Sequence, residues 1–249
     1  MKRINKQQII VPLEFSVACA IYKVEMVEVL QVFADHVTLY DTMREDYCEG
    51  FSEATRTVGS YVRAKRKRPV ESKAMKNCGA LLISCLSNIK VLATKKAGMT
   101  VVKREKTRPL VNMIFEAMER VYTISDTLYL DEYSAIKLNK DFCVLCEAHN
   151  CYPKEFLEYF MGRISAADAH AHKGLKINYD NFTFSLFSNI AEGFGGNEPK
   201  AYRLTEPELN FFGRMEELHL GLYIIRDLEE RINILREIYL AHYLATTQN

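Results

Sequence analysis

Phe15-Ser16-Val17-Ala18-Cys19 and Phe142-Cys143-Val144-Leu145-Cys146 are two versions of one apolar stretch, set 127 residues apart. Without a gap, Glu28-Val29-Leu30-Gln31-Val32-Phe33 then falls on Glu155-Phe156-Leu157-Glu158-Tyr159-Phe160, and Asp41 falls on Asp168. Residues 13–41 and 140–168 share seven identities: Phe, Val, Cys, Glu, Leu, Phe and Asp. Internal self-similarity at a fixed offset points to a module used twice. The expected fold is therefore mainly α, built as duplicated helix-turn-helix-like halves with short strands and a long C-terminal helix.

The periodicity inside the module sets its local structure. In the second segment a helix is expected over Lys140 to His149, and Asn150 suits its end because asparagine tolerates the left-handed conformation. Pro153 suits the first position of the next helix, where its missing N–H costs nothing. Phe156, Leu157, Phe160 and Ile164 form one buried stripe, matched by Val29, Leu30, Phe33 and Val37. Met26 replaces the proline in the first segment, so its two helices are expected to fuse over residues 14–47.

A short apolar run precedes each segment: Ile9-Ile10-Val11 before Pro12, and Ala135 to Asn139 before Lys140. A strand followed by two helices resembles the ribbon-helix-helix module of bacterial DNA-binding proteins, over about 30 residues of each segment. The resemblance implies that outward side chains of the strand enter a major groove. Lys137 and Asn139 would then be the readers, for guanine and adenine acceptors. The first segment departs from the pattern, since Ile10 and Pro12 read no bases.

Charge divides the chain as well. Residues 1–125 hold 21 basic and 13 acidic side chains, a net +8; residues 126–249 hold 12 and 19, a net −7. A basic half 1–125 and an acidic half 126–249 are the expected domains. The excess sits in Arg63, Lys65, Arg66, Lys67 and Arg68, flanked by Tyr47 and Tyr61, and in Lys103, Arg104, Lys106 and Arg108. Such runs neutralise phosphates and release counterions, so they are the expected nucleic-acid-binding residues, carried on loops. A non-enzymatic nucleic-acid-binding accessory or regulatory protein of a bacterial cytoplasm is the first functional expectation. The alternative is a helical scaffolding protein that binds another protein through its C-terminal helix. A third reading is an enzyme or ligand binder using the aromatic cluster Tyr179, Phe182, Phe184 and Phe187 in an irregular region 174–200.

The remaining segments read as helices over 53–65, 73–94, from Pro109 onward, and from Thr205 to the end. Thr205 and Glu208 form a capping box, with Pro207 in the first turn. The seam Leu218, Leu222, Ile225, Leu228, Ile232, Leu235 and Tyr239 predicts one helix of about 40 residues, roughly 60 Å long.

Metal, cofactor and catalytic residues are not expected. Cys143, Cys146, His149 and Cys151 offer zinc-ligand chemistry, but Tyr22 and Val24 occupy the matching places of the first segment. A packing cysteine explains the repeat; zinc does not. His170 and His172 diverge on a helix. Gly193 to Gly196 lacks the lysine of a phosphate loop and a preceding strand. Seven cysteines cannot all pair, and most lie in apolar periodic positions, which fits a reducing compartment. Met1-Lys2-Arg3 followed by Ile9 to Ala20 imitates a secretory leader, but Pro12 and Glu14 interrupt it. No apolar run reaches the roughly 20 residues of a bilayer span, so no membrane partner is expected.

Overall fold

The computed structural model of the chain describes residues 8–42, 52–65, 73–119, 126–149, 151–194 and 205–247. Its described residues form twelve helices and a two-stranded antiparallel sheet. The helices are α1 (Leu13–Tyr22), α2 (Met26–Asp35), α3 (Leu39–Thr42), α4 (Ser52–Ala64), α5 (Lys73–Ala93) and α6 (Thr100–Glu119). Strands β1 (Thr127–Tyr129) and β2 (Ala135–Lys137) follow, then α7 (Lys140–Ala148), α8 (Pro153–Met161) and α9 (Ala166–Leu175). The chain ends with α10 (Phe182–Ala191), α11 (Glu206–Leu222) and α12 (Leu228–Thr247). No helix among the described residues is long and apolar enough to cross a membrane.

The starts of α1, α2 and α3 at 13, 26 and 39, and of α7, α8 and α9 at 140, 153 and 166, all differ by the same 127 residues. The local bonds follow the same offset. Val24 donates its N–H to the Cys19 carbonyl at 3.0 Å, and Cys151 to the Cys146 carbonyl at 2.9 Å, closing each hairpin. Thr38 accepts from the Asp41 N–H at 3.1 Å and Ser165 from the Asp168 N–H at 3.2 Å, so matched hydroxyls open α3 and α9. The first hairpin is not one fused helix. Lys23 takes the left-handed conformation (φ 57°) and stops α1, doing without glycine what sequence alone assigns to Asn150. Asn150 itself lies outside the described residues.

The chain packs as two compact units, residues 1–10 with 29–160, and residues 11–28 with 161–249. The charge boundary near 125 lies within the first of these units. The first unit holds 23 basic and 17 acidic residues (+6), the second 10 and 15 (−5).

In the first unit, Phe33 stacks on its own counterpart Phe160, with ring centres 4.2 Å apart and planes 12° from parallel. Phe142 and Phe156 extend this core by edge contacts, and all four rings are fully buried. Ile10 donates its N–H to Glu158 Oε1 at 3.2 Å, and matched Lys137 donates to matched Gln31 Oε1 at 2.9 Å. Helix α7 packs on α3, α5 and α6, and the Leu39 N–H donates to Asp141 Oδ1 at 2.7 Å. In the second unit α1 packs on α9 and α12, and the Ser165 hydroxyl donates to Glu14 Oε2 at 3.1 Å. Arg104 pairs with Asp41, and Arg236 with the matched Asp168. The first helix of each segment thus rests on later helices that follow the other.

Several expected elements differ. The basic run 103–108 is not a loop: α6 begins at Thr100, and Pro109 sits inside it. Pro109 has no N–H for the Glu105 carbonyl one turn back, the usual reason to end a helix. The core stripe of α5 is Leu82, Cys85, Ile89 and Ala93, whereas Ile83 is exposed. Region 174–200 contains α10, opened by Asn181, whose side-chain oxygen accepts from the Phe184 N–H at 3.0 Å. The expected 40-residue C-terminal helix is two helices. Asp227 accepts from the Glu230 N–H at 2.8 Å and starts α12 afresh, so that helix spans about 30 Å. Its buried stripe is Arg231, Leu235, Tyr239 and His242.

Candidate functional site

In the second unit the buried side chains Glu208, Arg231 and His242 line a cavity of about 420 Å³. Helices α1, α9, α11 and α12 enclose it. Phe211, Phe212, Met215, Leu222, Leu235 and Ile21 supply apolar wall. The capping box that opens α11 places one end of the site. Glu208 accepts from the Thr205 N–H at 2.6 Å and the Thr205 hydroxyl at 2.8 Å, and its other oxygen pairs with Lys23. Glu208 is buried, so the pair with Lys23 satisfies a carboxylate that burial would otherwise penalise.

One side of the cavity carries a Tyr–His–Tyr chain. The Tyr22 hydroxyl lies 3.0 Å from His170 Nε2, and the Tyr239 hydroxyl lies 2.6 Å from His170 Nδ1. Burial, with Lys173 adding repulsion, pushes the His170 pKa below its ordinary value. A neutral ring then donates to one phenol and accepts from the other. Burial pushes Tyr239 upward, so it stays a phenol. The aromatic residues expected at 179–187 back this chain: Tyr22 packs edge-on against Phe184 and Phe187.

Arg231 is only 5% exposed, and its Nη2 donates to the Leu222 and Ile225 carbonyls at the end of α11. Its Nε has no partner, and no described carboxylate pairs with it. Gly174 of α9 leaves room for the guanidinium; a methyl group there would overlap Nη1. His242 stacks on Phe211 at 4.2 Å, and its Nδ1 is likewise buried without a partner. Burial and the charge of Lys23 hold its pKa down.

Comparison with protein-family models, curated proteins and solved structures finds no match to this chain.

The expected nucleic-acid residues all fall in the first unit. Lys65 ion-pairs with Glu155 at 3.0 Å, lies over the Tyr61 ring and reaches Cys151 Sγ at 3.5 Å. Burial alone would lower the Lys65 pKa, but the Glu155 and Tyr61 hydrogen bonds raise it. Arg63 donates to the Gly59 carbonyl of its own helix at 3.3 Å. Arg66, Lys67 and Arg68, with Tyr47, lie outside the described residues. Lys103 reaches the Lys95 carbonyl, Arg104 pairs with buried Asp41, and Arg108 pairs with Glu105 at 3.4 Å. Lys106 and Lys137 are exposed. Asn139 is engaged on both sides: its oxygen accepts from the Phe142 N–H at 2.7 Å, and its nitrogen donates to the Ala34 carbonyl at 2.9 Å. The oxygen thus caps the start of α7.

Among the described residues, no group of three His, Cys, Asp or Glu is placed to hold a metal ion. Sequence reasoning missed Arg231 because the apolar seam was drawn through Leu228 and Ile232. The signal was present: Arg231, Leu235 and Tyr239 follow at intervals of four, a charged residue on a buried stripe.

Proposed function

We propose that this chain binds a small, mainly apolar molecule in the cavity of its second unit. The observation that carries the reading is the buried Arg231, a cation lining an apolar cavity with no carboxylate beside it among the described residues. A concave, mostly apolar pocket with a few convergent polar groups is the usual form of a small-molecule site. A buried, unpaired charge costs several kcal/mol, by order of magnitude, unless something answers it. Titration with the neutral dye N-phenyl-1-naphthylamine tests the reading. Saturable binding of one dye per chain is expected, abolished by filling the cavity with Leu235→Trp. Absence of saturation, or binding indifferent to Leu235→Trp, counts against it.

A second reading keeps nucleic acid as a partner of the first unit. Its support is the +6 charge of that unit and the exposure of Lys106, Arg108 and Lys137. Reversing Lys106 and Arg108 to glutamate should then weaken duplex binding at low salt, and the wild-type affinity should fall steeply with added salt. No duplex binding at low salt removes this reading. The stripe of α12 is occupied within its own unit, so the protein-partner alternative gains no support there.

A further inference from the structure

We propose that the ligand is an elongated monoanion, an unbranched acyl chain ending in a carboxylate, with the carboxylate at Arg231. This deepens the reading of the cavity as a ligand site and rests on it. Shape comes first. The lining residues on α12 run from Arg231 to His242, eleven residues, or about 16 Å of helix. The lining therefore extends along the helix, as an extended chain would require. The middle of the cavity is walled by Leu235, Met215 and Phe212, which offer contact area without hydrogen-bond demands.

Charge distinguishes the two ends. At the far end Lys23 is answered by Glu208, and His242 is held toward its neutral form. At the near end Arg231 stands with two backbone carbonyls and, among the described residues, no anion. The described lining therefore carries one uncompensated positive charge, which one carboxylate answers. The Arg231 Nε–H, buried in the wall, has no partner among the described residues, so the guanidinium keeps unspent donor capacity. Gly174 keeps the guanidinium at this place, since any side chain there would displace it.

Competition against the neutral dye separates this proposal from the one beneath it. Decanoate, decanol and decylamine, each below its micellar concentration, share a chain and differ in head group. Decanoate is expected to displace the dye at a concentration about tenfold or more below that of the other two, as a charge-assisted bond in a buried site implies. Arg231→Met should erase that preference, bringing decanoate and decanol to similar displacing concentrations. Gly174→Ala, which moves the guanidinium without removing it, should reduce the preference part-way, and it serves if Arg231→Met fails to fold. Equal displacement by decanoate and decanol, tightest binding of decylamine, or an intact carboxylate preference in both variants overturns the anion assignment while the cavity reading stands. Failure of the dye itself to bind overturns both.

Discussion

Replacing Phe33 or Phe160 by alanine should cost nearly the same, although the two lie far apart in sequence. Each ring is fully buried, and each is the other's nearest stacked partner at 4.2 Å. Truncating a buried phenylalanine to alanine costs about 3–5 kcal/mol, the transfer of the ring plus the cavity left behind. Removing either ring also forfeits the same stacked pair, worth about 0.5–1.5 kcal/mol beyond area. The double variant should therefore be less damaging than the sum of the singles by about that amount. Urea denaturation followed by circular dichroism reads these costs; the chain has no tryptophan, so its 14 tyrosines supply the parallel fluorescence signal. Two units can unfold separately, so the transition belonging to the first unit is the one to fit. The fully exposed Tyr133 replaced by alanine is the control, expected within about 0.5 kcal/mol of wild type. Should Phe160→Ala cost several kcal/mol while Phe33→Ala costs under about 1 kcal/mol, or should the singles add without coupling, the reciprocal core argued from these rings is wrong.

Asn139→Ala removes both the cap of α7 and the bond to the Ala34 carbonyl, and should lower stability by about 1–2 kcal/mol in the same denaturation assay. Acid should destabilise the second unit from below about pH 6.5. The ordinary histidine value is 6.5, and His170 and His242 are both held lower when folded. As pH falls through 6.5 the unfolded chain takes up protons first, so stability present above that value is lost. A denaturation midpoint that falls between about pH 7.5 and pH 5.5, and falls less after His170→Gln with His242→Gln, is the expected result. Cys19, Cys85, Cys143, Cys146 and Cys151 are buried, so Ellman's reagent should label them only on unfolding, while the half-buried Cys78 reacts earlier.

The hairpins were legible because apolar stripes and turn residues agree. Val29, Leu30, Phe33, Val37, Phe156, Leu157, Phe160 and Ile164 are all buried as their spacing requires. The break at Lys23 was not legible, since lysine carries no left-handed preference. Its conformation follows from closing the hairpin through Val24 and Cys19. Asp227 was legible as a helix start, four residues before Arg231, but the continuous apolar seam on either side concealed it. Helix α6 runs through Pro109 against every local signal, an instance of tertiary packing overriding propensity. The basic runs read correctly as charge and incompletely as surface. Their partners, Asp41 and Glu155, are distant in sequence, and no local pattern points to them. The cavity needed four helices from separate segments, so only its polar corners left a trace in the sequence.

The most direct measurement of the central claim is a methyl spectrum of the nine methionines, labelled at Cε, during addition of decanol. Met215 lines the cavity, whereas Met118 is buried in the first unit. The Met215 resonance should move saturably while Met118 stays in place. A Met215 signal unmoved at saturating ligand, with shifts appearing elsewhere, would place the ligand outside this cavity.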